Sequence, residues 1–74
     1  MVGEDTWAEK AKRLLRSEMI RQGASYKDLA QRLEDIGVSE TAPNLRNKVS
    51  RGRFTAAFLL QCLHVLGCHQ LRTD

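Results

Sequence analysis

Proline and glycine are scarce in this chain of 74 residues, at one and five, so it is neither a linker nor a collagen-like repeat. Cysteine is scarcer still: Cys62 and Cys68 are too few for a disulfide-stapled secreted domain. Aromatic residues make up only 5% of the chain. The longest apolar run, Ala56–Leu60, falls far short of the about 20 residues that a bilayer-crossing helix needs. Met1-Val2-Gly3-Glu4-Asp5 is acidic where a signal peptide would carry a basic n-region. The expectation from these absences is a cytoplasmic, reducing location with no membrane partner.

Catalytic signatures are missing as well. There is no Gly-rich phosphate loop, no nucleophile elbow and no pair of carboxylates placed around a pocket. Ser50 and His64 fall on different elements with no third partner. Cys62, His64, Cys68 and His69 are residue types that hold zinc. On a helix, however, Cys62 and His64 point about 200° apart and cannot share an ion while the helix persists. Cys62 reads as a small core residue and Cys68 as a tail thiol. The chain is expected to be no enzyme, with no metal, no cofactor and no small-molecule substrate.

What is present is globular in composition: 42% hydrophobic and 28% charged residues. The length allows one small domain, hiding about 60% of the surface its unfolded chain would expose. A deep cofactor pocket would hollow out most of such a core. The net charge is +3, and its position matters more than its size. Residues 1–37 balance seven Lys/Arg against seven Asp/Glu, whereas residues 38–74 set five against two. Asn44–Arg53 holds Arg46, Lys48, Arg51 and Arg53 with no acid. A compact basic segment beside a neutral remainder points to an anionic partner, nucleic acid being the commonest. Taken alone, such a cluster also fits a solvated helix face.

The pattern predicts four helices, no strands, and one domain over residues 6–67 with flexible termini at 1–5 and 68–74. Thr6-Trp7-Ala8-Glu9 fits a capping box that starts the first helix. Trp7, Ala11, Leu14, Leu15, Met19 and Gln22 then recur at helical spacing, with Trp7 as a core anchor and Gly23 as the stop. Lys10, Lys12, Arg13 and Arg16 are interspersed with acids and read as a solvated face. Ser25 caps the second helix with Asp28 at its N3 position, and Tyr26, Leu29, Ala30, Leu33 and Ile36 form its apolar stripe. The third helix starts near Thr41 or Ala42, tolerates Pro43 in its first turn, and ends at about Ser50 before Gly52. Only Leu45 and Val49 look buried on it. The fourth starts at the cap Thr55, with Phe54 positioned to staple onto Leu59. It is apolar nearly all round, which fits either a central helix or a subunit interface.

An amphipathic helix, a turn at Gly37-Val38-Ser39-Glu40 and a short polar helix make the outline of a helix-turn-helix. Ser25-Tyr26-Lys27-Asp28-Leu29-Ala30, Gly37-Val38, Asn47-Lys48-Val49, Gly52-Arg53 and Leu63-His64-Val65-Leu66-Gly67 resemble the lambda-repressor-like group, the Cro and phage-repressor type of DNA-binding domain. From Trp7 to Gly67 the chain also looks like a family of small uncharacterised bacterial domains. The shared motifs are Leu14-Leu15-Arg16-Ser17-Glu18-Met19, Ser25-Tyr26, Leu29-Ala30, Glu40-Thr41, Asn44-Leu45, Asn47-Lys48 and Arg51-Gly52-Arg53-Phe54. The resemblance implies an all-α, four- to five-helix domain with a central helix-turn-helix. Three features depart from the group's pattern: a longer stretch between Gly37 and Asn47, Pro43 where a base-reading side chain often stands, and Ser50 in place of a closing Glu.

In that geometry the third helix enters the major groove of double-stranded DNA. The expected contacts are Ser25, Tyr26 and Lys27 at the start of the second helix, and Thr41, Asn44, Arg46, Asn47, Lys48, Arg51 and Arg53 on and after the third. Asn44 and Asn47 suit adenine edges and Arg46 a guanine, while Lys48, Arg51 and Arg53 suit phosphates. Tyr26 reads as a core residue whose hydroxyl reaches toward a phosphate. A single module has a small footprint, so a homodimer through the fourth helix and the tail is one expectation and a monomer the other. The role implied is a transcriptional regulator or accessory factor. The competing expectation is a protein-docking or dimerisation module on the same fold. Such a module should expose large apolar side chains, which Asn44–Arg53 does not offer.

Overall fold

In the computed structural model, which describes residues 4–73, three Ser/Thr side chains punctuate the chain. Ser25, Thr41 and Thr55 each accept a hydrogen bond from the backbone N–H three residues on, satisfying one of the donors a helix start leaves unpaired. The helices they open are α2 (Tyr26–Asp35), α3 (Ala42–Arg51) and α4 (Ala56–Val65), preceded by α1 (Glu4–Arg21). No strand occurs among the described residues. At Ser25 the capping box is reciprocal: its backbone N–H donates to the Asp28 carboxylate at 3.0 Å. Hydrogen bonding from the Ser25 backbone N–H, and then from its side chain, holds the Asp28 carboxyl below its ordinary range.

α3 and α4 each pack against both α1 and α2, and the core forms where the four meet. Leu15, Leu29, Leu33, Leu45, Val49 and Cys62 are fully buried there, joined by Met19, Phe58, Leu63 and Leu66. Phe54 packs partly against this core, with its ring centroid 5.4 Å from that of Phe58. α3 closes at Gly52, whose backbone is left-handed (φ 68°) and lies directly against the Ala8 carbonyl of α1.

Several expectations are corrected. α1 begins at Glu4, so Thr6 lies inside the helix and does not cap it. Trp7 is 59% exposed rather than a core anchor. The buried face of α1 is centred on Leu15; an ideal helix sets Ala8 roughly 20° from that centre and Trp7 roughly 80°. At this end of α1 it is Ala8, about 100° around the helix from Trp7, that meets α3, against Gly52. Instead the Lys10 ammonium lies 5.5 Å from the centre of the Trp7 ring. Ile36 leaves the α2 stripe because it is the C-cap, and it is 43% exposed. α4, left open between a central helix and an interface, turns Phe58, Cys62 and Leu63 inward and leaves Leu60 exposed. Glu18, given no structural role in the sequence, is buried and accepts a hydrogen bond from Gln22 at 3.1 Å. Past α4, Leu71 packs partly buried against the core.

Candidate nucleic-acid interface

α3 is held down by few residues and presents many. Leu45 and Val49 are its buried residues, one turn apart. Asn44, Asn47 and Arg51 recur at helical spacing on the opposite side, all exposed. They line a shallow polar groove of about 220 Å³ together with Glu40 and Lys48.

Arg46 and Lys48 are two residues apart and therefore about 200° apart around the helix. They serve different flanks. The Arg46 guanidinium lies 5.5 Å from the centre of the Tyr26 ring at the start of α2. Lys48 turns the other way: its Nζ donates to Glu40 Oε2 at 2.6 Å and sits 4.7 Å from the centre of the Phe58 ring of α4. An acid thus stands beside the basic segment, contributed by the connection before α3. The Lys48 charge is largely answered within the protein, which sets it apart from the exposed Arg46 and Arg51.

The remaining expected contacts are placed as follows. The Ser25 and Thr41 oxygens are occupied as helix caps. The Ser25 N–H is also engaged, with the Asp28 carboxylate beside it, so the start of α2 is less open to an anion than the sequence implied. Lys27 and Arg53 are exposed. The Tyr26 hydroxyl does not reach outward; it is buried without a hydrogen-bond partner, and the ring carries Arg46.

An unpartnered buried hydroxyl is a standing cost. Tyr26→Phe is therefore expected to raise stability by about 1 kcal/mol in a urea titration. Any DNA affinity should be unchanged, since the ring remains under Arg46. A loss of stability would mean that the hydroxyl has a partner.

The Glu40–Lys48 pair also bears on α4. Burial, with the Glu40 charge adding and Lys48 opposing, pushes the Cys62 thiol from 9.0 up to about 12. In the unfolded chain this thiol ionises first, so the folded state holds its proton more tightly. That contribution to stability is complete below pH 9.0 and is lost as pH rises toward about 12. Cys62→Ala should flatten the alkaline fall in stability, measured by denaturation across that range. In the native protein a thiol reagent should label Cys68, which is half-buried in the tail, well before Cys62.

Among the described residues no group of three or more His, Cys, Asp or Glu is placed to hold a metal ion. No described helix is long and apolar enough to cross a membrane. No curated protein and no solved structure matches the chain. One family does match, a domain of unknown function (DUF6471), over residues 7–71, a span that takes in all of α2, α3 and α4 and reaches Leu71 in the tail. With nearly its whole length matched, the chain belongs to the DUF6471 family.

Proposed function

We propose that this domain is lambda-repressor-like and binds double-stranded DNA, with α2 and α3 as its helix-turn-helix and α3 in the major groove. The observation that carries the reading is the outward side of α3. Asn44, Asn47 and Arg51 are exposed in one row, and the one acid beside them is paired to Lys48. Asparagine suits the adenine edge and arginine the guanine edge or a phosphate. Arg46 and Lys27 flank the row on the α2 side and suit the backbone. Lys48 contributes less than the sequence implied, because DNA would have to displace Glu40. The role that follows is a cytoplasmic regulator or accessory factor.

A second reading, docking or homodimerisation through α4, is favoured by Leu60. It is 64% exposed and lines a groove with the tail residues Cys68 and Leu71.

The test is an amide-shift titration of labelled protein with a mixed-sequence duplex at low and moderate salt. Shifts concentrated on residues 41–53 and 25–27 that weaken with salt support DNA binding. Arg51→Ala should then weaken binding and flatten its salt dependence by roughly one unit of slope, as loss of one phosphate contact does. No shift at low salt rejects DNA. Concentration-dependent shifts of α4 without DNA would favour the second reading.

A further inference from the structure

A groove of about 350 Å³ opens between the second half of α1 and the starts of α2 and α3. Its floor and wall are apolar, built from Met19, Ile20 and Tyr26 among others. Arg16, Lys27 and Arg46 line it, one from each of three helices, and no acid does. The nearest acid on α2, Asp28, has its carboxylate on the Ser25 N–H. Ile20 is the most exposed large apolar residue of those described, at 75%.

We propose that this groove is a binding site for a small organic anion with an apolar body, an alkyl or aryl carboxylate or phosphate. The apolar body covers Ile20 and Met19, and the anionic end is held by Arg46 and Arg16. The volume lies within the range of small-molecule sites, which combine apolar walls with a few convergent polar groups. Arg46 is held in advance by the Tyr26 ring, so less side-chain freedom is lost on binding. A DNA phosphate would use the cations but leave the apolar floor uncovered, which is why a smaller amphipathic anion fits better. The expectation of no small-molecule substrate could not take this groove into account, because it exists only where residues 16–46 fold together. The inference does not rest on DNA binding, although it shares Arg46 and Lys27 with the proposed DNA face.

The test uses sodium octanoate as the probe, followed by amide shifts of the labelled full chain. Octylammonium, octanol and inorganic phosphate serve as comparisons. Octanoate is expected to give saturable shifts confined to residues 16–20, 24–27 and 42–46. Its affinity should exceed that of octanol and of inorganic phosphate by about tenfold, the effect of one charge-assisted contact or a few buried methylenes. Arg46→Gln and Ile20→Ser, both at exposed positions, should each weaken octanoate by threefold or more while the unfolding midpoint stays put. Equal affinity for octylammonium or octanol would remove the anion from the proposal and overturn it. Equal affinity for inorganic phosphate would remove the apolar body and overturn it. Shifts centred on α4 and the tail, or none, would do the same.

Discussion

Gly52→Ala is expected to cost more than about 4 kcal/mol and to leave much of the protein unfolded. A domain of this size has only about 4–11 kcal/mol in total. Two effects combine. The left-handed backbone alone costs an L-residue about 1–2 kcal/mol. In addition, a Cβ at Gly52 would sit 2.1 Å from the Ala8 carbonyl oxygen and 2.7 Å from its carbon. Those are backbone atoms of α1 and cannot rotate aside, so α1 and α3 would have to separate. Gly67→Ala is the control: its φ is 77°, but nothing lies within 4 Å of the added carbon. It should show the conformational cost alone. Urea denaturation followed by far-UV circular dichroism separates the two. Equal losses would show that the helices do not meet as described.

Leu45→Ala is expected to cost about 3 kcal/mol, within the 2–5 range for truncating a fully buried leucine. Leu45 is 0% exposed and shares the anchoring of α3 with Val49 alone. The rest of α3 is polar or basic and adds little burial, so the helix should loosen before the remainder of the domain does. Hydrogen exchange is the discriminating measurement. Amides of α3 should lose more protection than those of α2 or α4. A uniform loss across all four helices would mean that α3 opens only with the whole fold. Asn47→Ala, on the exposed side, should change stability by less than about 0.5 kcal/mol.

The starts of α2, α3 and α4 were legible because a helix cap is a local event. A Ser or Thr and the amide three residues on decide it between them, and both are adjacent in the chain. α1 shows the limit of that logic. Thr6-Trp7-Ala8-Glu9 has the capping pattern, yet the helix is already under way at Glu4, and nothing local distinguishes the two cases. Trp7 was misplaced for a different reason. Its spacing fits the stripe, but the residue that meets α3 there is Ala8, against Gly52, and no local pattern records a contact between residues so far apart in the chain. The burial of Leu45 and Val49, which leaves the polar side of α3 outward, followed from periodicity alone. What stands on either flank of α3 did not. Glu40 meets Lys48 because the connection folds back beside α3, and Arg46 meets Tyr26 because α2 and α3 pack together. Such meetings are properties of the assembled helices and carry no signature at fixed spacing.

The outward position of Trp7 has a spectroscopic consequence. This is the chain's one indole, and it is largely hydrated in the folded protein. Its emission should therefore change little when the domain unfolds. It stands one residue from the point where α1 touches the end of α3, with an ammonium above its ring. Whatever arrives at that end of α3 will alter its surroundings, so the indole is a poor witness to folding and a good one to encounter.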